Sequence, residues 1–295
     1  MPPITNTYVH QTPWTHPGHF GHLYDELPNT PDALCPIPRN VLLHDWEANR
    51  DGLSLGDRRS DLEIRSTAEL LQRVAQSSSE SLLCQRNNET FRVVDCRHFA
   101  TLLCLMLRHK QIPARVRFGF AGYITEPNAD PPYEAHAVCQ WWDRTKEEWK
   151  LSDADIVEAV THEQFCSADQ AWHIARTNPE QAPQYGYGPD MRGLNIIAAE
   201  LVRDAACRAG FEPIYGDMWG LATDLYRRPI HDDEVALFDS LAVAPDTTIA
   251  ETLAADSCTI IPTEIYHFAH ARGVGYSVNL VQEREKLVRL GISFK

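Results

Sequence analysis

The sequence predicts an α+β fold on three observations. A helix that is apolar on nearly every side begins at Cys96, alternating apolar and polar segments joined by short polar turns follow it, and beyond Asp155 the apolar spacing is mainly helical. A length of 295 residues suits one large domain or two small ones. With 43% hydrophobic and 23% charged residues, the chain has the make-up of an ordinary globular enzyme rather than of a disordered protein. Lys and Arg number 27 against 41 Asp and Glu, and the resulting charge of -14 sets up a field that repels phosphate backbones and anionic lipid. Neither nucleic acid nor a membrane is an expected partner.

The first residues, Met1 to Asn6, lack a basic stretch followed by an apolar one, and no run approaches the roughly 18 apolar residues needed to span a bilayer. The expected location is cytoplasmic. Eight cysteines are scattered without a CxxC pair, so reduced thiols are expected rather than a zinc ribbon or a disulfide framework. His16, His19 and His22 recur at the spacing of ligands on one helical face, but Pro17 and Gly18 argue against a regular helix there. No metal and no cofactor are expected.

Taken along the chain, residues 1–28 read as an irregular arm rich in His, Pro, Gly and aromatics. Thr30-Pro31-Asp32 opens a short helix that Pro36 and Pro38 interrupt, and a second short helix is expected to carry Leu42, Leu43 and Trp46. Ser66-Thr67-Ala68-Glu69 forms a capping box for a helix with Leu70, Leu71 and Val74 on its apolar face. Asp95 stands as the cap of the long apolar helix from Cys96, which Arg108-His109-Lys110 close. Val116, Phe118 and Phe120 alternate with Arg115 and Arg117 as in a half-buried strand, whose arginines suit a solvated or salt-bridged face better than a substrate anion.

Glu134–Trp142 and Trp149–Ile156 follow as two strands joined by Asp143-Arg144-Thr145-Lys146. Further helices are expected from Gly193 to Gly210, after Asp232-Asp233-Glu234, over Thr248–Ala255 and over Gln282–Leu290. No repeat and no linker divides the chain. We therefore expect a single domain, 1–295, with a catalytic core over 60–160 and a mainly helical extension over 161–295.

Three polar residues on successive core elements carry the chemistry. A cysteine in the first turn of a buried helix meets the positive end of the helix dipole, which favours thiolate, and a neighbouring histidine favours it further. His136 on the adjacent strand can be that partner and later the general acid, with Asp153 setting its tautomer. If Trp142 faces Glu147 across the turn, His136 faces Asp153; a slip of two residues brings Asp155 or Leu151 there instead. The Cys96 N–H is a natural oxyanion donor, with Gln85, Asn87 or Asn88 as candidates for the second. Trp141, Trp142, Trp149, Trp172 and Trp219 suit core packing better than the cleft.

Asp95-Cys96-Arg97-His98-Phe99-Ala100, then Leu107 to Arg115 with Gly119-Phe120, resembles the nucleophile helix and following strand of the transglutaminase-like superfamily. His136-Ala137-Val138, Trp149 and Asp153 resemble its histidine strand and its W-x-x-x-D strand, and Ala171-Trp172 with Asp217-Met218-Trp219-Gly220 resemble the flanks of bacterial stand-alone members. The sequence departs from that pattern at His98, where a small or acidic residue is expected, and at Asp95, a carboxylate that opposes thiolate formation. The resemblance implies a papain-like core in which Cys96 forms a thioester with an acyl donor, an amide or a thioester, and passes the acyl group to an amine or to water through a Cys96, His136, Asp153 triad. Acyl transfer that forms or exchanges an amide with an amine acceptor, in small-molecule biosynthesis, is the expected activity. A cysteine amidase or peptidase with the same triad, or a binding protein that retains only the fold, are the alternatives.

Overall fold

The computed structural model describes residues 7–225, 228–257, 259–269 and 274–293; the expected reading of Met1 to Asn6 and the thiol of Cys258 lie outside them. The order of elements is α1 (Pro31–Leu34), α2 (Ile37–Val41), β1 (Leu42–His44), α3 (Asp45–Arg50), α4 (Thr67–Ser77), β2 (Arg92–Val94), α5 (Cys96–His109), β3 (Ala114–Ala121), β4 (Tyr133–Asp143), β5 (Glu148–Asp153), β6 (Glu158–Val160), β7 (Phe165–Ser167), α6 (Ala168–Thr177), β8 (Tyr185–Gly188), β9 (Met191–Arg192), α7 (Leu194–Arg208), β10 (Asp217–Met218), α8 (Leu221–Leu225), α9 (Asp232–Val243), α10 (Ile249–Ala254), β11 (Glu264–Ala269), β12 (Val274–Asn279) and α11 (Leu280–Arg289).

The main sheet runs β6-β5-β4-β3-β7, antiparallel throughout, with β8 added in parallel to β4 and β9 paired to β8. The fold is α+β, with α5 packed on β3 and β4. The reason is visible in α5 itself: every residue from Cys96 to Arg108 is buried, so the helix has no solvent face and the sheet must cover it. Phe99, Leu102, Leu103 and Met106 share one hydrophobic cluster with Val116 and Phe118 of β3 and Ala137 and Cys139 of β4. Ser66 caps α4 as its sequence requires, its hydroxyl accepting from the Glu69 N–H at 3.2 Å.

Four local readings change. Residues 18–24 of the expected irregular arm form a 3₁₀ helix, and Tyr8 and Trp14 are buried in the body of the protein. Leu42 and Leu43 belong to a strand, not to a helix; their side chains are drawn into a parallel ladder with β2, in which Leu43 faces Val93 and His44 faces Val94. β3 is buried along its whole length rather than half-buried. Beyond α10, β11 and β12 pair with β10 into a three-stranded antiparallel sheet beside the helices, where the sequence showed no strand alternation strong enough to read.

Burying β3 requires partners for its arginines, and α6, α7 and the segment after α9 supply the carboxylates. Arg117 donates to both carboxylate oxygens of Asp204, at 2.7 and 3.0 Å, and to Asp169 at 2.9 Å, while Asp204 also accepts the Phe118 N–H at 3.0 Å. Arg115 pairs with Asp246 and stacks on Trp149, its guanidinium carbon 4.4 Å from the ring centroid. Gln140 of β4 accepts from both arginines. Each charge is thus paired and hydrogen-bonded, the condition under which a buried ion pair is tolerated.

Candidate active site

The loop order places Cys96 where the chemistry needs it. β2 ends at Val94, Asp95 turns the chain, and Cys96 opens α5, whose first N–H groups have no partner within the helix. Asp95 is at the cap position, but its side chain does not cap the backbone. It accepts instead from His98 Nδ1 at 2.7 Å, while His98 Nε2 lies 2.9 Å from the Ile64 carbonyl. The Asp95 charge therefore faces His98, which lies away from the cysteine as its helical offset predicts. Arg97 donates to the carbonyls of Pro213, Arg65, Ile64 and Glu212, tying the start of α5 to the segment that carries Tyr215.

Structure brings the three expected residues together. His136 Nε2 lies 2.7 Å from Asp153 Oδ2, and His136 and Cys96 line one cleft close enough for each to shift the other's titration. With Nε2 held by the carboxylate, Nδ1 is the nitrogen left for sulfur. The pairing register is shifted by two residues from the expected one: Trp142 faces Trp149, and the ladder ends with Cys139 facing Ser152. Asp153 nonetheless meets His136. A slip of two preserves the side to which each residue points, so the carboxylate stays on the histidine face and reaches it diagonally. Asp155, which the shifted register would place opposite, lies past the end of β5 and turns toward His44 and Arg39.

Asp153 is held by more than the histidine. Its Oδ2 also accepts from the Tyr123 hydroxyl at 2.8 Å, and its Oδ1 from the Asp155 N–H at 2.9 Å. Burial alone would raise its pKa, but His136 and these donors hold the carboxyl below the usual range. For His136, burial opposes the charge, and Asp153 with Cys96 overcomes it and raises the imidazole well above its ordinary value. Burial likewise disfavours a Cys96 thiolate and Asp95 adds to this, yet His136 and His44 outweigh both and lower the thiol. A depressed cysteine beside an elevated histidine favours a thiolate-imidazolium pair.

Two further side chains reach the sulfur that sequence reasoning missed. The Tyr215 hydroxyl is 3.5 Å from Cys96 Sγ, and His44 lines the same cleft and is coupled electrostatically to the thiol. Tyr215 follows α7 and carries no local signal. His44 had one: Val41-Leu42-Leu43 is an apolar, strand-like run that ends on a polar residue. The proposed second oxyanion donors are not brought to the site. Gln85, Asn87 and Asn88 are exposed, and Asn87 uses its side-chain oxygen on the Glu89 and Thr90 N–H groups.

Cys96 is 5% exposed, His136 3% and Asp153 1%, so substrate must arrive through a cavity. A cleft of about 1320 Å³ opens onto Cys96 and His136. Carboxylates from several elements, Asp45, Glu47, Glu126 and Glu134 among them, line it against the guanidinium groups of Arg39 and Arg59. Trp46 lines it as well, whereas Trp172 and Trp219 are core residues. Among the described residues no group of three or more His, Cys, Asp or Glu is placed to hold a metal ion, and no helix is long and apolar enough to cross a membrane.

Residues 75–154 match the family described as the transglutaminase-like superfamily, a span that contains Cys96, His136 and Asp153. The match supports cysteine-based catalysis in general. No curated protein matches the chain. A solved structure from Cytophaga hutchinsonii, provisionally described as a cysteine protease, is 15% identical, with 57% of this chain and 46% of that chain covered and a TM-score of 0.33. This chain thus spans less than half the length of that protein, and so loose a likeness carries no argument about activity.

Proposed function

On a core that matches the transglutaminase-like superfamily, we propose that the protein is a cysteine acyltransferase that passes an acyl group from an amide or thioester donor to an amine. The observation that carries this reading is Cys96 beside His136 in one cleft, with His136 hydrogen-bonded to the buried Asp153. Cys96 thiolate attacks the acyl carbon, and the carbonyl π pair moves onto oxygen as an oxyanion beside the first N–H groups of α5. Collapse expels the leaving group, which takes the His136 proton, and a thioester remains. A free amine then attacks the thioester; its nitrogen proton goes to the now neutral His136, the thiolate leaves, and the ion pair is restored. The carboxylates at the cleft favour a cationic amine over an anionic acceptor.

Exposure to p-nitrophenyl acetate with an excess of a diamine tests this. The expected result is an acetyl group on Cys96 by peptide mass spectrometry and N-acetylated diamine formed faster than by uncatalysed aminolysis, with no Cys96 acetylation and only the background rate in Cys96→Ala. Acetylation of Cys96 followed only by release of acetate would replace transfer by hydrolysis. Equal acetylation of the Cys96→Ala protein would remove the cysteine from the mechanism.

A further inference from the structure

Two histidines, not one, line the cleft with Cys96 and favour its thiolate, and their surroundings differ. His136 is anchored by one carboxylate. His44 is delivered by the parallel β1–β2 ladder that sets it beside Val94, two positions before Cys96 in the chain. Its ring stacks on Phe99, one turn along α5, with centroids 6.3 Å apart and planes inclined by 11°. His44 Nδ1 lies 3.0 Å from Asp45 Oδ1, and Nε2 lies 3.6 Å from Asp155 Oδ2. Arg39 of α2 reaches the other Asp155 oxygen at 3.4 Å and, with His44 and His136, favours the ionised carboxylate against burial, which on balance raises its pKa. The ring also lines the cleft.

We propose that His44 is a second catalytic histidine, a cation that keeps its proton at Cys96 and stabilises the thiolate there, while His136 is the histidine that gives its proton away. This deepens the acyl-transfer reading and rests on it. The division of labour follows from the carboxylates. Acylation removes the thiolate from beside both rings, but it leaves His136 with one carboxylate, Asp153, and His44 with two, Asp45 and Asp155.

Every element packed on the ring has its part in this balance. Asp45 begins α3, Asp155 follows β5, Cys96 and Asp95 begin α5, and Glu134 and His136 lie on β4. Burial works against the charge, but Asp45, Cys96 and Asp155 prevail and push His44 up to about 10. The Trp46 N–H lies 3.3 Å from Nδ1 and can donate to it only when that nitrogen is unprotonated. The Asp45 carboxylate, 3.0 Å from the same nitrogen, favours the form in which Nδ1–H donates to it instead.

The test is the pH profile of Cys96 alkylation by iodoacetamide in the wild type, His44→Gln, His44→Ala and His136→Ala, with thermal melting as a control for folding. Gln at 44 keeps a donor and removes the charge. The thiolate midpoint is expected to rise by about one unit in both His44 variants, so that alkylation at mildly acidic pH is about tenfold slower than in the wild type. Ring nitrogen NMR shifts are expected to show His44 doubly protonated at neutral pH, both in the wild type and after acetylation of Cys96. A midpoint in His44→Gln equal to that of the wild type, or a neutral ring at neutral pH, overturns the inference. In that case a raised midpoint in His136→Ala leaves the acyl-transfer reading standing, whereas an ordinary thiol profile in the wild type overturns both.

Discussion

Asp153→Ala is expected to slow acylation of Cys96 by p-nitrophenyl acetate by about 10³-fold, while the protein remains folded. Three losses coincide at this one position. His136 Nε2 loses the acceptor that fixes its ring, the imidazolium loses the buried charge that supports it, and the Tyr123 hydroxyl loses its partner. The sign follows from the elevated His136 pKa: without Asp153, burial dominates and the ring gives up its proton at lower pH, so the thiolate loses its cation. Asp153→Asn separates orientation from charge. Its side-chain oxygen can still accept from Nε2–H, so this variant should fall between Ala and the wild type. Comparison of acylation rates at several pH values checks both, and an Ala variant within about threefold of the wild type would remove Asp153 from the catalytic set.

Asp204→Ala is expected to cost about 3–5 kcal/mol of stability in urea unfolding, the largest effect of any single substitution away from the cleft. Arg117 is buried on β3 and Asp204 buried on α7, so removing the carboxylate leaves a guanidinium with only Asp169 nearby. The Phe118 N–H loses its acceptor at the same time, which adds the desolvation of an unmet donor. Substituting both partners, Arg117→Met with Asp204→Leu, should recover a large part of the loss, because the apolar pair leaves no isolated charge. The consequence reaches the cleft, since α7 leads directly into the segment that places Tyr215 against Cys96. A loss below about 1 kcal/mol in Asp204→Ala would mean that the pair is screened as a surface pair is.

Much of this was legible in the residues. Asp95 before a run from Cys96 to Leu107 marks a helix start ahead of a buried helix, and strand alternation placed His136 and Asp153 on neighbouring strands of one sheet. The register was misjudged because a four-residue polar turn does not reveal where its last cross-strand pair lies; the actual end pair is Asp143 with Glu148. The error did not disturb the triad, because side-chain facing depends only on whether the shift is odd or even. Burial of β3 was hidden for a different reason. Arg115 and Arg117 read as a wet face, and only the distant Asp204 and Asp246, far along the chain, make them internal.

The same limit explains the residues around the sulfur. Tyr215 and His44 reach Cys96 from segments 119 and 52 positions away in sequence, through a tether at Arg97 and a parallel two-strand ladder. Parallel pairing has no turn to announce it, so a three-residue strand such as Leu42–His44 is hard to separate from the start of a helix. Its register, once seen, explains why a histidine lies beside the nucleophile.

The central claim is that Cys96 is a thiolate paired with His136. It is tested most directly by the pH dependence of iodoacetamide alkylation at all eight cysteines, resolved by peptide mass spectrometry in the wild type and in His136→Ala. Because the Cys96 thiol is depressed below its ordinary value, its reactivity should persist under mildly acidic conditions and fall only as pH drops through that lowered value. Cys35, by contrast, is pushed up to about 12 by burial and by Asp153 and Asp32, and should stay silent across that range. The account predicts that Cys96 reacts first in the wild type and loses its low-pH advantage in His136→Ala. A Cys96 that titrates as an ordinary thiol, or that is unaffected by the loss of His136, would contradict it.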